Sequence, residues 1–192
     1  MARLIYSAIA SLDGYVEDTI GAFDWSAPDD EVLAFLTDLE RPVGTYLYGR
    51  RMYETMTYWE SPDVDAGPSE PERDFAQLWQ AADKIVYSRT LSEPTTVRTR
   101  LERSFDPADV RQLKQSATSD LSIGGADLGG QALAAGLVDE CQLFLTPTAV
   151  GGGKPAFPLG VRLQLELLDQ HRFAAGTVFL RYAVLPAGES LS

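Results

Sequence analysis

Three short β-branched or aromatic runs in this chain each stop in a polar or glycine-rich junction of a kind suited to binding anions. Thr45-Tyr46-Leu47-Tyr48 meets Gly49-Arg50-Arg51, Lys84-Ile85-Val86-Tyr87 meets Ser88-Arg89-Thr90, and Leu121-Ser122-Ile123 meets Gly124-Gly125, with Gly129-Gly130 close behind. Glycine lets a backbone approach an anion, helix N-termini supply unpaired N–H groups, and in an open α/β sheet ligands gather at the carboxyl ends of strands. Singly, each junction reads equally well as an ordinary turn. As a set, with Arg50, Arg51 and Arg89 occupying two of them in a chain of 16 basic residues, they point to a large polyanionic cofactor held partly by guanidinium groups.

Other chemistries find little material. His171 is the single histidine and Cys141 the single cysteine, which removes most zinc sites, cysteine-based clusters and an intrachain disulfide. A Ser-His-Asp or Cys-His hydrolase would rest on His171 alone, in the polar run Asp169-Gln170-His171-Arg172. Cys141 opens the apolar run Cys141-Gln142-Leu143-Phe144-Leu145 and reads as a core thiol. No metal is expected. With 28 acidic against 16 basic residues, the formal net charge of -12 repels nucleic acid and anionic lipid, so any anion site is a local basic pocket on an acidic body. Neither nucleic acid nor membrane is an expected partner. Met1-Ala2-Arg3 passes into Leu4-Ile5-Tyr6 without a long apolar core or cleavage site, and a cytoplasmic location is expected.

The elements that must position these junctions follow from periodicity. A length of 192 residues at 45% hydrophobic fits one globular domain over residues 1–192. Residues 3–10 read as a buried strand entering the turn Ser11-Leu12-Asp13-Gly14. Val32, Phe35, Leu36 and Leu39 mark an amphipathic helix capped by Ser26 or Asp29 and ended by Pro42. A short helix carries Arg51 and Tyr53; residues 58–71 read as a loop suited to a flap; Phe75, Leu78, Trp79 and Ala82 mark a second helix. Thr95 to Leu101 reads as an edge strand, Asp106-Pro107 opens a helix with Val110, Leu113 and Ala117 inward, and Ala126 to Ala135 forms another, closed by Gly136. After the Cys141 to Thr146 strand, alternation of Leu163, Leu165 and Leu167, and of Val178, Leu180, Tyr182 and Val184, predicts an antiparallel pair with one buried face. The tail from Pro186 reads as frayed. The fold class is α/β, a three-layer α-β-α sandwich around a mixed, mostly parallel sheet.

Four segments, Ala10-Ser11-Leu12-Asp13-Gly14, Leu47-Tyr48-Gly49-Arg50-Arg51-Met52-Tyr53, Val86-Tyr87-Ser88-Arg89-Thr90 and Ile123-Gly124-Gly125 leading to Gly129, resemble in order and spacing the dihydrofolate reductase fold. Within it they are similar to the C-terminal reductase of bacterial riboflavin-biosynthesis deaminase/reductases, over nearly the whole chain. The resemblance implies NADPH as cofactor and a small pterin-like or pyrimidine-type heterocycle as substrate, on the pattern of 5-amino-6-(5-phosphoribosylamino)uracil reductase. Gly49, Arg50 and Arg51 then correspond to a phosphate junction, and Ser88, Arg89 and Thr90 to the one near the adenosine 2′-phosphate. Gly124, Gly125, Ala126 and Gly129 belong to the pyrophosphate loop, with a cis peptide expected between Gly124 and Gly125. Asp30 falls where the fold places the carboxylate that holds the heterocycle, and Asp13 borders nicotinamide and substrate. Trp25, Tyr53 and Trp59 are candidate stacking rings, Thr146 and Gly151 candidate pocket residues, and a homodimer is expected.

Both acids also have plain readings, Asp30 as a first-turn acid favoured by the helix dipole and Asp13 as a turn residue. A Rossmann fingerprint starting at Gly124 fails because Ala126 stands where glycine is required. One departure from the riboflavin-type pattern bears on substrate: between Asp13 and Arg41 there is no Lys or Arg to meet a substrate phosphate. A non-catalytic NADP(H)- or pterin-binding protein of the same fold is the alternative reading.

Overall fold

The computed structural model describes residues 1–60 and 67–186; the middle of the proposed flap and residues 187–192 of the proposed frayed tail lie outside the described residues. In chain order the elements are β1 (Leu4–Ala10), β2 (Tyr15–Glu17), α1 (Asp30–Glu40), β3 (Val43–Gly49), α2 (Arg50–Met56), α3 (Glu70–Ala81), β4 (Asp83–Tyr87) and β5 (Thr99–Glu102). They continue with α4 (Pro107–Ser116), β6 (Asp120–Gly124), α5 (Ala126–Ala134), β7 (Glu140–Leu145), β8 (Lys154–Pro155), β9 (Gln164–Arg172) and β10 (Val178–Leu185). The main sheet is mixed and mostly parallel, with eight strands in the order β5-β4-β3-β6-β1-β7-β10-β9. The chain divides into two compact units, one mainly Pro28–Gly125 and the other Arg3–Ala27 with the segment from Ala126 onward.

In the first unit β5, β4, β3 and β6 run parallel. The step from β3 to β4 and the return from β5 to β6 go in opposite directions along the sheet, and the right-handed rule for parallel crossovers sends α3 and α4 to opposite faces. Leu33 of α1, Tyr53 of α2, and Phe75 and Trp79 of α3 form one core cluster with Tyr46, Tyr48 and Val86. Local chemistry fixes the helix starts. Asp29 caps α1 by accepting from Val32 N, Ser69 and Glu72 form a reciprocal capping box on α3, and Asp106 accepts from Ala108 N ahead of Pro107. In α1 the buried face is Val32, Leu33, Thr37 and Glu40, turned from the Phe35/Leu39 face that periodicity predicts. Hydropathy missed it because Thr37 satisfies its hydroxyl on Leu33 O at 2.8 Å and so tolerates burial.

In the second unit β1 pairs parallel with β7, and β10 joins β7 to β9 in antiparallel fashion. A two-stranded sheet of β2 and β8 was not evident from the sequence. The sheet core is aromatic: Phe144 lies 4.9 Å from Phe179 and 6.3 Å from Phe173, centroid to centroid. Phe179, not the predicted Val178/Leu180 row, is therefore the fully buried register of β10. Leu163 precedes β9 and Leu167 is 50% exposed; the alternation is real, but β9 is the last strand of the sheet and its register shifts between Arg181 and Tyr182. Leu143 and Phe144 are buried within the chain, and burial pushes the Cys141 thiol up to about 12, as a core thiol requires.

Candidate functional site

The parallel register decides how the junctions of the first unit lie. Gly49 at the end of β3 pairs with Tyr87 at the end of β4, and Tyr48 pairs with Gly124 at the end of β6. Three neighbouring strands thus end level, and the three junctions begin side by side. Arg50 ties two of them: its Nη1 donates to Thr90 Oγ1 at 2.9 Å, while its Nε donates to Glu54 Oε1 at 2.7 Å. The third packs on the first, since a Cβ on Gly124 would come within 3.0 Å of Tyr48 Cε1 and one on Gly125 within 3.2 Å of Met52 Cβ. Gly125 also sits at φ +92°, where side chains are disfavoured. The expected cis peptide between Gly124 and Gly125 is absent; the described chain has no cis bond, and the positive φ of Gly125 turns the backbone instead.

The middle junction is a compact turn. Ser88 Oγ accepts from Leu91 N at 3.0 Å and Thr90 N at 3.3 Å, and Ser88 N donates to Glu102 O at 2.9 Å, extending the β4–β5 ladder by one bond. Arg89 is exposed at its tip with no hydrogen bond or ion pair among the described residues. Arg103, just after β5, holds the far side of the turn through the carbonyls of Ser88, Leu91 and Ser92. Arg51 is exposed on α2.

The other candidates in this unit are already engaged. Asp30, at the first position of α1, accepts from the Ser69 hydroxyl at 2.8 Å. Tyr53 is 1% exposed, and its hydroxyl accepts from Thr95 N at 2.8 Å and Thr96 N at 3.1 Å, so its ring belongs to the core and has no face left for stacking. Trp59 packs edge-on against Phe75 at 4.7 Å.

In the second unit Asp13 clamps the loop after β7, its carboxylate accepting from Gly151 N at 2.7 Å and Val150 N at 3.1 Å. A hydrogen bond from the Ser11 hydroxyl, aided by those two amides, holds its carboxyl below the usual range. Thr146 is 7% exposed with its Oγ1 lacking a partner among the described residues, and the same holds for Trp25 Nε1. Ala126 opens α5, and Gly129 within it lies against Tyr6, where a Cβ would stand 2.4 Å from Cε2. Lys154 bridges Asp127 at 2.8 Å and Glu17 at 3.4 Å.

The pattern of the RibD C-terminal domain matches residues 2–179. The chain belongs to that family. Over 186 residues it is 29% identical to the uncharacterized protein YyaP of Bacillus subtilis (strain 168), covering 94% of each chain. Its fold is that of a putative riboflavin biosynthesis protein from a Shewanella species (TM-score 0.72, 22% identity, 97% of this chain and 100% of that one). It also matches a Thermotoga maritima diaminohydroxyphosphoribosylaminopyrimidine deaminase/5-amino-6-(5-phosphoribosylamino)uracil reductase (TM-score 0.67, 12% identity, 96% of this chain and 57% of that one).

In this RibD C-terminal domain chain the sequence marks where β3, β4 and β6 end, but not the residues that hold those ends. Arg103 carries no motif, and its role appears only when β5 pairs with β4. Thr95 and Thr96, which take up the Tyr53 hydroxyl, are likewise silent in sequence.

Proposed function

We propose that this RibD C-terminal domain protein is an NADPH-dependent oxidoreductase that passes hydride to a small pterin-like or pyrimidine-type heterocycle. The reading is carried by the level ending of β4, β3 and β6, which sets three anion-suited junctions in a row. The residues fit the cofactor. A side chain at Gly124 or Gly125 would crowd Tyr48 or Met52, Gly125 is at positive φ, and Arg89 stands without a partner among the described residues. Ser88, Arg89 and Thr90 would hold the adenosine 2′-phosphate; Gly49, Arg50, Arg51, Gly124 and Gly125 would meet the remaining phosphates. NADPH, when bound, supplies the hydride, and the chain's own residues bind, orient and exclude water. The Thermotoga enzyme's name specifies a phosphoribosyl substrate, whereas residues 14–40 here contain no Lys or Arg, which favours a heterocycle without a phosphate.

Titration with NADPH and NADH, followed by nicotinamide fluorescence and melting temperature, tests the reading. Selective NADPH binding is expected, and Arg89→Ala should weaken NADPH by about tenfold or more while sparing NADH. Equal loss for both removes Arg89 from the 2′-phosphate. A non-catalytic cofactor-binding protein is the second reading, favoured by Asp13, whose carboxylate is bound to loop amides and held ionised. Tight NADPH binding with no oxidation across a panel of pterins and pyrimidines would select it.

A further inference from the structure

We infer that Arg103 is a positioning residue for the 2′-phosphate end of this site, and through it a determinant of preference for NADPH over NADH. The inference rests on the NADPH reading above. Arg103 Nη1 donates to Leu91 O at 2.5 Å and Ser88 O at 3.3 Å, and Nη2 donates to Ser92 O at 3.3 Å. One planar fork thus gathers three carbonyl oxygens of the turn that carries Arg89. The opposite side of that turn is fastened by Ser88 Oγ on two amides, and Thr90 is fastened by Arg50. The β4–β5 ladder brings Arg103 to this place, because Ser88 N bonds to Glu102 O, the residue just before it.

Two consequences follow for an anion. Carbonyl oxygens facing a bound phosphate repel it, and Arg103 draws three of them onto itself. With three of its five N–H donors engaged on carbonyls, Arg103 leaves Arg89 as the guanidinium of the turn with no partner among the described residues. A lysine at position 103 keeps the charge but lacks the rigid fork that serves several acceptors at once.

The test measures dissociation constants of NADPH and NADH, at one fixed salt concentration, for the full-length wild type, Arg103→Ala and Arg103→Lys, with melting temperatures recorded beside them. Both variants should raise the NADPH constant by about tenfold, the equivalent of one charge-assisted hydrogen bond, and leave that for NADH unchanged. Parallel losses for both nucleotides, an unchanged NADPH constant, or full restoration by lysine would each overturn the inference. If Arg103→Ala does not fold, Arg103→Lys decides alone. A wild type that binds neither nucleotide brings down the NADPH reading and this inference together; a selective wild type with unaltered variants brings down this inference only.

Discussion

Glu40 ends α1 with its carboxyl in the protein interior, 5% exposed, near Tyr46 of β3 and Ser122 of β6. Burial pushes that carboxyl up from 4.5 to about 7, and the two nearby hydroxyls offset only part of the rise. Neither Glu40 Oε2 nor the Tyr46 hydroxyl completes a hydrogen bond among the described residues. The folded protein therefore binds this proton more tightly than the unfolded chain does. The resulting stability is fully present below pH 4.5 and is lost as pH rises through about 7. The gap from 4.5 to about 7, at about 1.4 kcal/mol per pH unit, amounts to about 3 kcal/mol. That is a large fraction of a typical domain's ~5–15 kcal/mol. Glu40→Gln keeps the shape but cannot ionise. It should match the wild type near pH 4.5 and exceed it by about 2–3 kcal/mol at pH 8, measured by urea unfolding across that range. A variant no more stable than wild type at pH 8, or one that retains the wild-type slope between these values, refutes the burial argument.

Two further substitutions probe the second unit. Gly129→Ala places a methyl 2.4 Å from Tyr6 Cε2, and Tyr6 is fully buried with its hydroxyl donating to Ala156 O at 2.5 Å. Overpacking should cost about 1–3 kcal/mol in urea unfolding despite alanine's better helix propensity, and an equally stable variant would show that the ring yields freely. Asp13→Asn should speed amide hydrogen exchange at Val150 and Gly151, whose N–H groups the carboxylate accepts. In the wild type that contribution is present above the unfolded value of 3.8 and is lost as pH falls through the lowered folded value. Protection unchanged by the substitution would remove the clamp.

The strand–helix order and several helix caps were legible because each is written locally, in β-branched runs, in Asp29 or in Asp106-Pro107, whereas the capping box of Ser69 with Glu72 lies in a stretch read as loop. What the sequence left unread depends on pairing. The level ends of β3, β4 and β6 are a property of register, and local patterns do not encode which residues of separate strands stand opposite. The aromatic candidates show the same limit from the other side: Tyr53 and Trp59 have the chemistry to stack on a ring, yet Thr95, Thr96 and Phe75 occupy them. The Val178/Leu180 alternation predicted one buried face, yet Phe179 between them is the fully buried residue of β10 because its ring packs against Phe144, while the rest of the strand is half-buried.

The parallel pairing of β1 with β7 has a consequence for how the chain is made. Leu4 N donates to the Asp139 carboxylate at 2.7 Å across 135 positions of sequence, so during synthesis β1 emerges well before this partner does. At ordinary translation rates Leu4–Ala10 waits roughly 10–30 s for its partner β7. The contiguous stretch that builds β3 to β6 has emerged in the meantime. Chaperone capture of the nascent β1 segment is the natural safeguard for such a delay, and substitutions in β1 should register first as lost yield in the cell rather than as lost activity in the purified protein.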